Sequence, residues 1–257
     1  MTQAKNFQFN FSHFRKQFRH SSLPAGDLIC AIGGYFLGAP YETGILETGR
    51  KERLIVNFEK FDCFTFVETL LILTRCFTGN KISAREFRRQ LQFIRYRKGI
   101  IDGYSSRLHY FTDWLTDNEK KKILKDVSRF SAGEPQCKKI NFMTVHRTSY
   151  PALKSEEEFQ KMLSAEKNLS RKVFHIIGRD EVSRQKAKIK NGDIIAFAAD
   201  QDGLDVAHVG FAFRRRGNLY LLHASSKEGA VVISKTTLVA YLKSNKKISG
   251  ILVARIL

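Results

Sequence analysis

One cysteine at a helix start and two histidines in one hairpin are the residues of this chain best placed to do chemistry together. Cys63 stands in FDCFTFVETLLIL, residues 61–73, where apolar side chains at Phe64, Phe66, Val67, Leu70, Leu71 and Phe77 recur at helical spacing. Asp62 is a favoured N-cap type, so Cys63 falls in the first turn, where free backbone N–H groups and the positive dipole end favour a thiolate. A free cysteine is otherwise a buried space-filler, and Cys30, Cys76 and Cys137 are read that way. A nucleophilic thiol also needs a base. If AHVGFAFRRRGNLYLLHASS, residues 207–226, turns near Arg216 and Gly217, His208 lies opposite about Ser225 and His223 is its diagonal neighbour on the same face. A three-residue turn would instead shift the register and part the two imidazoles. Thiol, base and orienting group would together make an acyl-transfer site.

These side chains need a helix and a sheet to hold them. Helical patterns cover residues 11–19, 24–37, 62–77, 84–97 and 156–165. From Gly192 onward DIIAFAA, AHVGFAF, NLYLLHA, AVVIS and GILVARI are short β-rich runs separated by DG, RGN, KEG and SNKK turns. Helices followed by a run of strands indicate an α+β fold in which helices pack on an antiparallel sheet. The chain has 257 residues, 43% of them hydrophobic, enough for one domain spanning 1–257 with its own core.

Composition excludes several classes. The four cysteines form no C-x-x-C and have no paired ligand spacing, so neither a metal site nor a disulfide framework is expected, and no cofactor is called for. Lys5, His13, Arg15 and Lys16 interrupt the N-terminal apolar residues, so neither a signal peptide nor a transmembrane segment is visible. The net charge of +19 favours anionic partners, and it keeps open a basic polyanion-binding module with an inert cysteine. Its cations are scattered, at Arg88-Arg89, 120–122, 214–216 and Lys246-Lys247, with no nucleic-acid module around them, so nucleic acid is not expected as a partner.

LGAPY at 37–41, FDC at 61–63, AHVGFAF at 207–213 and LLHAS at 221–225 resemble the signature segments of NlpC-type papain-like cell-wall hydrolases. More closely, DCFTFVE, YSSRLHYFTDW at 104–114, NFMTVHR at 141–147, GLDVAHVG at 203–210 and the terminal SGILVARIL resemble the N-acetylmuramoyl-L-alanine amidase-like branch, nearly end to end. The resemblance implies a papain-like fold with a specificity insertion at 80–190, between catalytic helix and sheet. It makes Cys63 the nucleophile, His208 the base and acid, His223 the orienting group, and Tyr41 a residue lining the cleft. It implies peptidoglycan or muropeptide as substrate, the muramoyl–L-alanine amide as the bond cut, and a cell-envelope or periplasmic location. A γ-D-glutamyl–diamino acid endopeptidase is the alternative within the superfamily. Phe64, Thr65 and Phe66 replace the small residues common after the Asp-Cys pair, which makes the expected cleft wall bulkier. Within the insertion Arg107, His109, Tyr110 and Trp114 combine a cation with aromatic faces suited to carboxylates and sugars, and Asp205 precedes the base; all five are candidate substrate-binding residues.

Overall fold

The computed structural model describes residues 9–18, 21–47, 51–131 and 133–257. In chain order the helices are α1 (Phe11–Phe18), α2 (Ala25–Tyr35), α3 (Cys63–Thr78), α4 (Ala84–Arg95), α5 (Phe111–Lys120), α6 (Phe142–Val145), α7 (Glu156–Leu169), α8 (Val182–Gln185) and α9 (Leu238–Ser244). The strands are β1 (Leu124–Asp126), β2 (Glu134–Cys137), β3 (Val173–Gly178), β4 (Ile194–Ala199), β5 (Val206–Arg215), β6 (Asn218–Ser225), β7 (Ala230–Ile233) and β8 (Ile248–Ile256). The five expected helices are α1, α2, α3, α4 and α7; the expected end of the first, at Arg19, lies outside the described residues.

The strands form one antiparallel sheet in the order β2-β3-β8-β4-β5-β6-β7, with β1 pairing a further stretch of β8. The α+β class is therefore as the sequence indicates. The central strand β4 is buried along its whole length, because both faces of the sheet are covered. Ile194, Ala196 and Ala198 join the large core with α2, α3 and α4, while Ile195 and Phe197 join a second core with Leu238 and Leu242 of α9. Each fully buried Leu, Ile or Phe in these layers contributes about 1.5–3 kcal/mol. Helix α2 approaches closely at Gly33, where a Cβ would lie 2.3 Å from Leu222 Cδ2 and 3.0 Å from Leu70 Cδ2.

Three strands and one long helix lie outside the sequence expectation, all within residues 80–190. Strands β1 and β3 pair with β8, and β2 extends the edge beyond β3, where Pro135 costs no ladder bond that a central strand would need. This segment is thus built into the fold. Phe87, Leu91, Ile94, Trp114, Leu115 and Leu124 enter the large core, and only a smaller cluster around Tyr104, Tyr110, Met143, Leu153 and Met162 is its own.

Candidate active site

The site begins with the cap of α3. The Asp62 carboxylate accepts the Thr65 N–H at 2.7 Å, while the Asp62 N–H donates to the Thr65 hydroxyl at 3.0 Å, a reciprocal capping box. Thr65 is therefore spent on the helix start. Behind it Phe66 is fully buried against Phe61 and Phe211, so only Phe64 of the expected bulky pair stands beside the thiol, backed edge-on by Trp114 at 5.4 Å between ring centres. A buried ion pair anchors the next turn: Glu68 accepts from Arg95 Nε at 2.8 Å and Nη2 at 2.7 Å.

The hairpin follows the two-residue geometry. Arg216 and Gly217 adopt φ of 49° and 75°, a primed turn matching strand twist, and the ladder pairs Arg215 with Asn218 through Phe211 with Leu222. Continuing that register sets Gly210 against His223 and His208 against Ser225. Gly210 has no room for more than hydrogen, since a Cβ would lie 2.8 Å from His223 Cβ. On the other side of β5 a register shift after Phe197 skips Ala207, a bulge of the kind that re-aims a neighbouring side chain. The result is a bond of 2.6 Å between His208 Nε2 and His223 Nδ1, with the rings at 81°.

Cys63 meets this hairpin. The backbone N–H groups of Val209, the residue after His208, of Phe64 and of Cys63 itself lie near enough to the sulfur to pull its pKa down. Those donors favour a thiolate. Burial and the Asp62 charge outweigh them and push the thiol up to about 12, so the dipole of α3 does not produce the resting thiolate that the helix position suggests. Burial likewise lowers His208 to about 3, helped by His223, and lowers His223 to about 4 against the opposing pull of Glu228. At neutral pH all three groups are uncharged. Two phenols complete the walls: Tyr41 is pushed up to about 12 by burial, then by Cys63 and Asp62, and Tyr241 is raised by burial and by Cys63. Tyr41 is fixed by bridges of its own backbone to Phe61 and of Pro40 to Ala230. Tyr241, on α9, lies 6.1 Å from the His223 ring and 5.3 Å from Phe197; nothing in LVAYLKS distinguishes it from an ordinary amphipathic helix residue. The other cysteines stand apart: Cys30 bonds Asn191 at 3.2 Å, Cys76 is buried and Cys137 is exposed.

Most of the candidate substrate-binding residues have partners inside the protein, which corrects the reading of them as cleft-facing. Arg107 is 5% exposed and held by Glu47 at 2.7 Å and Glu52 at 3.4 Å, so its guanidinium is already matched to carboxylates. Trp114 is fully buried between Phe64 and Phe111, leaving no face for a sugar. The Tyr110 hydroxyl donates to Glu166 at 2.6 Å. Asp205 accepts from Thr112 N–H at 2.7 Å and its hydroxyl at 2.8 Å, serving as the missing N-terminal cap of α5. His109 stacks on Tyr104 and its Nε2 bonds the Tyr104 carbonyl at 2.8 Å; burial, then Arg107, holds it well below the usual imidazole range.

An α+β protein that sets a cysteine at one helix N-terminus against a hairpin of an antiparallel sheet is the class these features define. The model of a family described as N-acetylmuramoyl-L-alanine amidase-like matches residues 31–251. The chain belongs to this family of hydrolases. It is similar to the crystal structure of an N-acetylmuramoyl-L-alanine amidase from Bacteroides uniformis, at 38% identity over 91% of this chain and 99% of that one, with a TM-score of 0.86. A Bacteroides fragilis structure provisionally named a xylanase is 42% identical over 88% of this chain and 100% of that one, with a TM-score of 0.83. A Legionella pneumophila protein matches at 25% identity over 96% and 94% of the two chains, with a TM-score of 0.72. No curated protein matches. Among the described residues no helix is long and apolar enough to cross a membrane.

Proposed function

We propose that this chain is a papain-like cysteine amidase that hydrolyses the amide between the lactyl group of N-acetylmuramic acid and L-alanine, in peptidoglycan or its fragments, within the cell envelope or periplasm. The observation that carries the proposal is the 2.6 Å bond from His208 Nε2 to His223 Nδ1, on the strand whose Val209 N–H acts on the Cys63 thiol. With Nε2 committed to His223, Nδ1 of His208 is the nitrogen left to serve Cys63. The tautomer with the proton on Nε2 donates to His223 and leaves Nδ1 free to accept.

The chemistry then runs from an uncharged start. The thiol proton passes to His208 Nδ1 as Sγ attacks the amide carbonyl, so charge develops only when substrate has displaced water. The tetrahedral oxyanion is met by the Cys63 N–H and the Tyr41 hydroxyl; one such donor is worth about 10²–10³ in kcat. Collapse breaks the C–N bond, and His208 gives its proton to the departing amine. Water then attacks the thioester, returns a proton through His208 to sulfur, and releases the muramic carboxylate. His223 fixes the His208 ring throughout. Residues 80–190 act on specificity through the cleft wall, with Trp114 setting the position of Phe64.

The xylanase name of the Bacteroides fragilis relative fits this site less well. Glycoside hydrolysis commonly needs two facing carboxylates, whereas the carboxylate acting on Cys63 is Asp62, tied into the helix cap. Mass spectrometry of a defined muropeptide tests the proposal. Free muramic-acid sugar with an intact stem peptide is expected from the parent, and none from Cys63→Ala; muramic acid still carrying L-Ala-γ-D-Glu, with the rest of the stem released, would move the cut further along the peptide and contradict the assignment.

A further inference from the structure

One recess on the described surface is separate from Cys63. It is a groove of about 910 Å³ between the turn after α4, helix α5 and helix α7, and five cations line it: Arg97, Lys98, Lys120, Lys161 and Lys172. Two acids line it as well, and both are occupied. Asp113 is held by Arg97 through two bonds of 3.0 and 2.6 Å, and Asp102 faces Lys161 at 3.7 Å. Lys161 is further paired with Glu157 at 2.8 Å. Among the described residues, Lys98, Lys120 and Lys172 have no ion pair of their own. Like charges gathered around one concavity repel one another, an arrangement that a bound anion relieves. Lys172 stands within this field: burial lowers its ammonium, Asp113 and then Asp117 oppose that, and Lys120 and Arg97 add to it. Ser105, Ser164, Gln160 and Asn168 also line it, and none of the lining residues is aromatic. The groove therefore offers charge and hydrogen bonds without a stacking face for a sugar ring.

We propose that this groove is a binding site for a multivalent oxyanion, held by Lys98, Lys120 and Lys172 apart from the thiol site. The proposal does not depend on the amidase reading. It gives part of the +19 charge a defined place, in contrast to the scattered basic runs elsewhere. Isothermal titration of the full chain with inorganic tripolyphosphate at low ionic strength tests it, with monovalent phosphate for comparison. Saturable one-site binding is expected, stronger for tripolyphosphate and weakening as salt rises. The triple variant Lys98→Gln, Lys120→Gln, Lys172→Gln is expected to lower the affinity about tenfold or more, since three ammonium groups are removed from one site. A matched triple variant far from the groove, Lys227→Gln, Lys235→Gln, Lys243→Gln, is expected to bind like the parent. No saturable binding, or an equal loss in both triple variants, would overturn the proposal by reducing the groove to one more part of a basic surface. Circular dichroism of each variant shows that the comparison is between folded proteins.

Discussion

Asp205 ties two distant parts of the chain together, and truncating it to alanine is expected to damage stability and catalysis at once. Its carboxylate accepts Thr112 N–H and Oγ at 2.7 and 2.8 Å through one oxygen and Val206 N–H at 2.7 Å through the other, at a position 7% exposed. Alanine leaves two buried N–H donors unsatisfied, at about 1–3 kcal/mol each, of which the loss of a helix cap accounts for about 1. A total near 3–4 kcal/mol is expected, read as a fall in the urea midpoint with the slope unchanged. The catalytic effect follows from position. Asp205 immediately precedes β5, and the bulge at Ala207 that aims His208 lies between the two residues. Turnover by the folded fraction, measured well below the unfolding midpoint, should therefore fall about tenfold or more, since small misplacements of a base are costly. Thr112→Val removes one of the three bonds and keeps the backbone donor, so a smaller loss of about 1 kcal/mol is expected. Parent-like stability in Asp205→Ala would refute the role of this carboxylate as a cap, and full turnover in the folded fraction would refute its link to His208.

Stability should decline in acid because of the two imidazoles: their folded values of about 3 and about 4 lie below the usual 6.5, so the unfolded chain binds protons that the folded chain does not. Each then contributes up to about 1.4 kcal/mol of loss per pH unit as pH falls from 6.5 toward 4, and none above 6.5; unfolding midpoints of the parent and of His208→Gln/His223→Gln check whether the double variant flattens this window. Iodoacetamide near neutral pH should label exposed Cys137 freely, while labelling of Cys63 should fall about tenfold or more in His208→Ala because the proton acceptor is gone; equal Cys63 labelling with and without His208 would disconnect the two. His208→Ala should abolish turnover and His223→Ala should leave a measurable remainder, an order that reverses if the roles are exchanged. Arg107→Met should destabilise by about 3–5 kcal/mol by stranding the buried Glu52, while the more exposed Glu47 turns to solvent, with kcat/KM of the folded fraction little changed; a specific loss of muramoyl-peptide turnover at unchanged stability would restore it to the cleft.

The parts of the site that are local in sequence were legible in it. Asp62, Cys63 and the apolar rhythm behind them define a helix start, and a two-residue turn at Arg216 and Gly217 decides by parity that His208 and His223 share a face. What depends on distant partners was not. Helix α5 has no side-chain cap of its own at Tyr110, because its cap is Asp205, 93 residues beyond the Thr112 N–H that it accepts. Arg107 reads as a free fork for substrate until Glu47 and Glu52 are folded against it. Strands β1 and β2 are too short and polar to signal themselves and exist because β8 and β3 offer edges. The resting charge was also hidden: position at a helix start argues for a thiolate, and only the packing around Cys63 shows that burial prevails.

The central claim is that Cys63 carries the acyl group cleaved from the amide, and an acid-quenched, single-turnover digest of a muramoyl-peptide analysed by mass spectrometry tests it most directly. The account predicts a transient thioester on the Cys63 peptide whose added mass is the N-acetylmuramoyl group, with the stem peptide already released, and no adduct or turnover in Cys63→Ala. An adduct made of N-acetylmuramoyl-L-Ala-γ-D-Glu, an adduct on another residue, or undiminished hydrolysis by Cys63→Ala would contradict it.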